Sequence, residues 1–232
     1  MNREAVLLGY YRAMQAELGP SGWWPGDTPF EIALGAILTQ NTAWANVEKA
    51  MHNLRESGLL EPGALARLND DEVAALIRPA GAFRVKAVRV RNFLNFLHEK
   101  CDLDMDGLRG ETVEGLRPAL LEVSGIGPET ADSILLYALG LPSFVVDAYT
   151  RRILGRHGLI PEDIGYGELR DFFMDVLPPD VALYNEYHAL IVRTGKNWCA
   201  KKAGKCASCP LAVFLEEFSP LTCVGKSIIP HP

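Results

Sequence analysis

The sequence predicts an all-α protein, and three observations carry that prediction. Apolar residues recur at the three- and four-residue spacing of amphipathic helices, as Val6, Tyr10 and Met14 do near the start. Gly and Pro clusters separate the helical segments, and no series of segments alternates polar and apolar residues as strands do. The 232 residues are 48% hydrophobic, which suffices for a packed core and excludes a disordered chain.

The predicted helices follow one another between clear stop signals. The first ends before "SGWWPGD", where Gly and Pro break the spacing, and two more flank a polar interruption at residues 39–42 in "FEIALGAILTQNTAWANVEKAMHNL". "DDEVAALI" has an acidic first turn, and "RPAGAF" separates it from the long amphipathic "RVKAVRVRNFLNFLHEK". Later helices are predicted in "TVEGLRPALLEV", "PETADSILLYALG", "DAYTRRILGRHG", "YGELRDFFMDVL" and "VALYNEYHALIVRTGKNW".

The overall charge is acidic, with a net charge of −6 and a pI of about 5.4, which argues mildly against a nucleic-acid partner. The cations nevertheless cluster at residues 84–91, 151–156 and 195–206, so local patches could face phosphates. No apolar run reaches the ~18 residues that cross a bilayer, and the first residues lack the pattern of a signal peptide. We therefore expect a cytoplasmic protein that does not enter a membrane.

Gly125-Ile126-Gly127 is a turn that suits phosphate binding. Pro128 follows at the first helical position, where no N–H is needed, and Glu129 lies in the first turn. Backbone N–H groups at a helix start, with no side chain in the way, can hold a nucleic-acid phosphate without reading sequence. An ordinary tight connection between two helices is the alternative.

Asp147 is a lone acid after three apolar residues in "FVVDAY", with no basic neighbour before Arg151. The position suits a carboxylate with a chemical role, and it also suits the N-cap of the helix "AYTRRIL". The two roles are compatible, because a capping acid at a helix start is kept ionised.

The glycine turn, followed by Asp147 twenty residues after Gly127, resembles the helix-hairpin-helix signature of the endonuclease III superfamily of DNA glycosylases. The resemblance extends from "LTQNT" to the cysteine tail. It implies a six-helix lobe of residues 27–140, with the hairpin at about 115–139, and a terminal lobe of residues 1–26 plus 141–232. It also implies double-stranded DNA with a damaged base as the partner, bound across the cleft, and Asp147 as the catalytic carboxylate.

Glu129 departs from the pattern of the bifunctional relatives, which carry a lysine there that forms a Schiff base with the sugar. A carboxylate cannot form that imine, so we expect a monofunctional glycosylase with no or weak lyase activity. By analogy with glycoside hydrolysis, Asp147 is expected to stabilise the oxocarbenium sugar or to activate a water.

Three of the four tryptophans, Trp23, Trp24 and Trp44, lie within 22 residues. Core packing is their ordinary role, but paired tryptophans beside Pro25 in a loop also suit a flat pocket for an extruded base. "WWP", "LTQNT" and "GIGPETADSILLYA" together are similar to the 3-methyladenine DNA glycosylase III branch. That likeness implies that Trp24 and Pro25 line the base pocket and that Trp44 stacks on the extruded base. Glu129, at the position of the lysine in bifunctional relatives, is assigned to the same pocket. We group Trp23 with them, although its role is not separable from packing.

The branch resemblance implies an alkylated purine, with 3-methyladenine foremost, as the base removed. Such a cationic base leaves without protonation and gains from stacking on indole rings. Two alternatives stay open: a glycosylase for a mismatched or otherwise damaged base, and a non-catalytic helix-hairpin-helix module that binds DNA.

Two further segments match superfamily elements that enter the duplex. Gln40, beside Asn41, corresponds to the residue that fills the gap left by the extruded nucleotide, whereas an amide that caps a neighbouring helix is the alternative. "PAGAFRVKA" matches the loop that wedges the opposite strand, so Phe83 or Ala82 is expected to intercalate.

The cysteine tail indicates a metal site. Cys199, Cys206 and Cys209 form C-x6-C-x2-C, and Cys223 follows after thirteen residues. Four thiolates suit either Zn²⁺ or a [4Fe–4S] cluster, and spacing alone does not decide between them. The similarity to the endonuclease III loop favours the [4Fe–4S] cluster, although the last spacing in that family is usually five residues.

Lys201 and Lys202 lie between the thiols, where a folded loop would direct them toward DNA phosphates. We expect the cluster to be structural, since hydrolysis of an N-glycosidic bond transfers no electrons, and we expect a monomer.

Overall fold

The computed structural model describes residues 2–215, which form eleven α-helices and short 3-10 or π turns. No strand forms between residues 2 and 215, so the all-α prediction is confirmed, and no helix there is long and apolar enough to span a membrane. The helices are α1 (Arg3–Leu18), α2 (Pro29–Leu38), α3 (Trp44–Glu56), α4 (Pro62–Ala66), α5 (Asp70–Leu76), α6 (Phe83–Cys101), α7 (Val113–Glu122), α8 (Pro128–Ser133), α9 (Ala148–Arg156), α10 (Tyr166–Met174) and α11 (Val181–Asn197).

The chain folds into two compact units. The first is Trp24–Ser143, which contains α2 to α8. The second joins the described residues up to Trp23 with those from Phe144 to Leu215, and it contains α1 and α9 to α11. We call them the central unit and the terminal unit.

Helix α2 forms the centre of the central unit, because it is apolar on nearly every side. Thr28 caps it by accepting from the N–H of Glu31, and Pro29 occupies its first position. It packs against α6, α8 and the turn after α8. Each fully buried leucine or isoleucine contributes about 1.5–3 kcal/mol; those of α2 are Leu34, Ile37 and Leu38.

The terminal unit has an aromatic core that fixes the segment before Asp147. Phe144 stacks on Phe173 with ring centroids 4.1 Å apart, and Tyr187 meets Phe144 edge-on. Tyr187 is fully buried, and its hydroxyl donates to the carbonyl of Leu7 at 2.7 Å, which ties α11 to α1. Burial raises the pKa of Tyr187 well above its usual value.

Two elements differ from the sequence-based expectation. The short helix α4 was not predicted, because five residues do not show a helical period. The segment "PETADSILLYALG", expected as one helix, is α-helical only at Pro128–Ser133 and continues as a π-helical turn at Ile134–Ala138. Such turns are rare and occur often at functional sites.

Candidate active site

Asp147 is the N-cap of α9, as one of the two sequence-based interpretations predicted. Its backbone is extended, at φ −133° and ψ −172°, and Oδ1 accepts from the N–H of Thr150 at 2.8 Å and from its hydroxyl at 2.9 Å. The Thr150 hydroxyl also accepts from the Asp147 N–H at 3.2 Å, which completes a reciprocal cap. One carboxylate oxygen is therefore held in a fixed direction.

The other oxygen of Asp147 faces His188 of α11. The distance between His188 Nε2 and Asp147 Oδ2 is 3.8 Å, which is longer than a hydrogen bond, and a protonated imidazole at this distance would attract the carboxylate. Both side chains are nearly buried, at 10% and 6% exposed. Burial alone raises the pKa of Asp147, but His188 and the bonds from Thr150 outweigh it, so the pKa lies below its usual value. The carboxylate is thus ionised at neutral pH.

Sequence reasoning missed His188. It lies 41 residues after Asp147 in the apolar run "EYHALIV", where nothing marks it as a site residue. It reaches Asp147 because α11 packs against α9, and a glycine makes that approach possible. A Cβ on Gly195 would overlap the ring of Tyr149. Gly195 lies two helical turns after His188, on the same face of α11.

The glycine turn of the central unit requires glycine at one of its positions. Gly125 has φ +96°, which favours glycine, and a Cβ there would collide with the side chain of Arg89. Ile126 is buried, whereas Gly127 caps α8 and has nothing within 4 Å of an added Cβ. The approach to the first turn of α8 is therefore open, as a phosphate site requires.

Glu129 lies exposed in the first turn of α8. Its backbone carbonyl accepts from the Ser133 hydroxyl at 2.7 Å. Because the residue is a carboxylate, no amine is offered at the position where bifunctional relatives carry their lysine.

Gln40 is held against the hairpin. Its Nε2 donates to the carbonyl of Gly125 at 3.1 Å and to the hydroxyl of Thr130 at 2.8 Å, while its Oε1 accepts from Arg89. The amide therefore contacts the glycine turn and the first turn of α8, but it accepts no backbone N–H of that helix and so does not cap it. Asn41 is exposed beside it in the left-handed region, at φ 53°.

The structure groups two of the predicted pocket residues with a tyrosine. Trp24 stacks on Tyr137 at 5.0 Å and meets Trp44 edge-on at 5.1 Å. Both indoles lie against Gly35 of α2, where a Cβ would be 3.4 Å from Trp24. Pro25 is exposed next to Trp24. Sequence reasoning missed Tyr137, which lies in the π-helical turn.

Trp23 belongs to the terminal unit, whereas Trp24 begins the central unit. The ammonium of Lys196 lies 6.0 Å from the centroid of the Trp23 ring. This contact is at the outer limit of a cation–π interaction. The contacts of Trp24 with Tyr137 and Trp44 are made within the central unit.

The loop before α6 contains the two residues considered for strand intercalation. Ala82 is exposed and has a left-handed backbone at φ 45°. Phe83 packs partly against the core of the central unit, and the Arg84 guanidinium lies 5.9 Å from its ring centroid.

Three of the four tail cysteines lie together. Cys199, Cys206 and Cys209 line one cavity of the terminal unit. The Arg156 guanidinium donates to the Cys199 sulfur at 3.2 Å. Cys223 lies outside the described residues, and within residues 2–215 no group of three or more Cys, His, Asp or Glu has metal-binding geometry.

Arg156 also shapes the loop between the cysteines. It donates to the carbonyls of Ala200 at 2.8 Å and Lys201 at 2.9 Å. The side chains of Lys201 and Lys202 are exposed. Their contact with DNA phosphates stays a prediction.

A helical fold with this glycine hairpin, and with an ionised acid at the start of the next helix, defines the class of base-excision DNA glycosylases. Residues 34–179 match the HhH-GPD superfamily of base excision DNA repair proteins, and the chain belongs to that family. The resemblance to the endonuclease III superfamily of DNA glycosylases is thereby confirmed.

Individual proteins of similar sequence or structure support the same family assignment. The chain is 45% identical over 216 residues to "Putative DNA repair glycosylase MJ1434" of Methanocaldococcus jannaschii, covering 90% of this chain and 92% of that protein. It is similar to the structure of H. pylori 3-methyladenine DNA glycosylase (MagIII) bound to 1,N6-ethenoadenine, with TM-score 0.73 and 28% identity over 84% of this chain and 98% of that one. A DNA complex of endonuclease III shares the fold at TM-score 0.77 and 21% identity, covering 92% and 95%.

Proposed function

We propose that this glycosylase is monofunctional and removes alkylated purines, with 3-methyladenine as its main substrate. Asp147 carries the proposal: a nearly buried carboxylate, kept ionised by Thr150 and His188, at a helix start. The H. pylori relative supports the substrate class, since it is a 3-methyladenine DNA glycosylase.

The Asp147 carboxylate acts on the sugar. Oδ1 is occupied by Thr150, so Oδ2 is the oxygen that offers negative charge to a developing oxocarbenium ion or accepts a proton from an attacking water. The low pKa favours charge stabilisation, because a weakly basic carboxylate remains an anion throughout the reaction.

Position 129 carries a glutamate instead of the lysine of bifunctional relatives, which supports hydrolysis without a covalent intermediate. Release of an alkylated purine needs no protonation of the leaving base, because the base is already cationic. A carboxylate at position 129 also forms no imine with the resulting aldehyde, so strand cleavage through this position is excluded.

The aromatic group of the central unit suits recognition of the base. Trp24, with Tyr137 stacked on it, and Trp44 at right angles form a rigid group of electron-rich rings, and Pro25 is exposed beside it. A cationic purine gains about 0.5–2 kcal/mol from contact with such a ring, and more when it is desolvated. A neutral purine lacks this gain, which gives selectivity for alkylated bases.

Binding of the damaged duplex is assigned to the glycine turn of residues 125–127 and to Lys201 and Lys202. The turn offers backbone N–H groups to one phosphate, and the lysines add affinity that does not depend on sequence. Gln40, Asn41 and the loop at Ala82 and Phe83 contact the bases near the extruded nucleotide. A single chain contains all of these elements, which supports action as a monomer.

We assign the tail cysteines to a [4Fe–4S] cluster rather than to Zn²⁺, because their C-x6-C-x2-C spacing resembles the endonuclease III loop. Cys199, Cys206 and Cys209 already share one cavity with the apolar Ile153 and Leu211, and thiolates are the ligands of such clusters. Cys223 is the fourth candidate ligand. When bound, the cluster would serve to fix the loop that carries the lysines.

Base release from methylated DNA tests the function. We expect wild type to liberate 3-methyladenine, seen by chromatography, and Asp147→Asn to lose about 10²–10⁴-fold of the rate because the anion is removed. DNA binding should persist in that variant. Asp163→Asn, an exposed acid of the same unit, is the control that should keep full activity.

Other outcomes identify the competing functions. No methylated base released by wild type, together with release from mismatched duplexes, would assign a different lesion. Equal behaviour of wild type and Asp147→Asn on every substrate, with DNA binding retained, would leave a non-catalytic DNA-binding module in which Asp147 is only a helix cap.

A further inference from the structure

Lys86 is a buried cation whose acceptors all belong to two segments of the central unit. It lies in the first turn of α6 and is 1% exposed. Its Nζ donates to the carbonyls of Leu38 and Ala80, both at 2.8 Å, and to the Thr42 hydroxyl at 2.7 Å. The Thr42 hydroxyl donates in turn to the Ala80 carbonyl at 2.6 Å. Burial, with a smaller contribution from Arg89, lowers the pKa of Lys86.

A buried ammonium is costly unless hydrogen bonds satisfy it, so this arrangement needs a structural reason. Leu38 ends α2, where the last carbonyls have no partner within the helix, and Ala80 ends the turn before α6. Lys86 supplies both carbonyls with a donor at once. A methionine of similar length would remove this donor from the Leu38 carbonyl and leave the Ala80 carbonyl with the Thr42 hydroxyl alone as a side-chain donor.

Both segments contain a strained backbone residue. Asn41 has φ 53° and Ala82 has φ 45°, and a residue other than glycine in this region costs about 1–2 kcal/mol. Such conformations persist only where their surroundings impose them. The contacts of Lys86 lie on both sides of Asn41 in the chain, at Leu38 and Thr42, and two residues before Ala82.

We propose that Lys86 is a positioning residue that joins residues 39–42 and 80–82 into one rigid edge, and that it thereby holds in place the two segments assigned above to the bases near the extruded nucleotide. The effect of Lys86 on base extrusion rests on the glycosylase function proposed above. The joining of the two segments is a property of the free protein and does not depend on that function.

The experiment compares Lys86→Met with Leu97→Ala. Leu97 is fully buried in the same helix, eleven residues away or about 16 Å along the axis, so its truncation weakens the core without touching either loop. Mass spectrometry measures the rate of backbone hydrogen exchange in both segments of the free protein. Fluorescence of 2-aminopurine beside a lesion analogue measures extrusion, and single-turnover base release is measured alongside the Kd for the duplex.

We expect Lys86→Met to exchange about tenfold faster in both segments together, because the shared donor is lost. Extrusion and the single-turnover rate should fall by about tenfold while the Kd changes by less than about threefold. Leu97→Ala should leave hydrogen exchange in both segments, base extrusion and the single-turnover rate unchanged. Thr42→Val should reproduce the Lys86→Met pattern more weakly, and it replaces Lys86→Met if that variant does not fold.

Equal exchange in Lys86→Met and wild type, or a change in one segment only, would overturn the joining role. Faster exchange in both segments with unchanged extrusion would overturn the role in base extrusion. If wild type extrudes the reporter but releases no alkylated base, the proposed substrate is wrong, and exchange and extrusion still decide the role of Lys86.

Discussion

At the scale of single residues, two opposing effects act on the Asp147 carboxyl. Burial favours the neutral acid, whereas His188 and the cap bonds from Thr150 favour the anion, and the anion is favoured overall. Because the pKa in the folded protein lies below that of the unfolded chain, the ionised carboxylate stabilises the fold at pH values above the unfolded pKa. This contribution is lost as the pH falls through the lower, folded pKa.

Replacing His188 with Asn should raise the pKa of Asp147, since burial remains while an attractive partner is removed. The acid limb of single-turnover base release should therefore move to higher pH, and the stabilisation from the carboxylate at neutral pH should shrink. A pH–rate profile and urea unfolding at several pH values measure the two effects. The exposed His98→Asn is the control. An unmoved acid limb in His188→Asn would show that His188 does not act on Asp147.

At the scale of elements, the close packing of α9 and α11 depends on a missing side chain. Gly195 lies against the Tyr149 ring, and Arg152 lies over the same ring at 4.8 Å. The Arg152 guanidinium also donates to the Cys199 carbonyl at 2.6 Å. Helix α9 is thus capped by Asp147, packs on α11 in its first turn and holds the cysteine loop through Arg152.

Gly195→Ala should lower the free energy of unfolding by about 1–3 kcal/mol, because the new methyl overlaps Tyr149. Base release should fall as well, since a displaced α11 moves His188 away from Asp147. Gly155→Ala in α9 is the matched control: nothing lies within 4 Å of its Cβ, and alanine is the better helix former by about 1 kcal/mol. Denaturant unfolding measures the free energy of unfolding of both variants. Equal values for Gly195→Ala and Gly155→Ala would contradict a packing role for Gly195.

At the scale of the whole molecule, a net charge of −6 opposes binding to DNA. Affinity must then come from local cationic patches, and the loop at Lys201 and Lys202 is the exposed patch that Arg156 holds through backbone carbonyls. The sign of the total charge does not decide the partner, because only the facing surface meets the phosphates.

Changing both Lys201 and Lys202 to Ala should weaken binding to undamaged duplex and reduce the slope of log K against log salt by about 2, one phosphate contact for each lysine. Fluorescence anisotropy over a salt series measures that slope. Lys49→Ala with Lys100→Ala removes the same charge from exposed positions in the central unit and should leave the slope unchanged. Identical slopes for the two double variants would contradict a contact at this loop.

The helical class, most helix positions, the glycine turn and the cap at Asp147 could all be predicted from the order of residues. These features are local: spacing, glycine and proline stops, and a capping residue act within a few residues of chain. That Glu129 cannot form a Schiff base with the sugar was equally predictable, because this follows from the residue type alone.

Which distant residues meet could be learned only from the folded chain. His188 reaches Asp147 because Gly195 admits Tyr149, Tyr137 reaches Trp24 from a π-helical turn, and Lys86 joins two loops about 40 residues apart. None of these side chains stands out from its neighbours in the chain, since a single His, Tyr or Lys leaves no periodic pattern in the sequence of a helix. Their roles arise from packing, which brings together residues that the chain order separates.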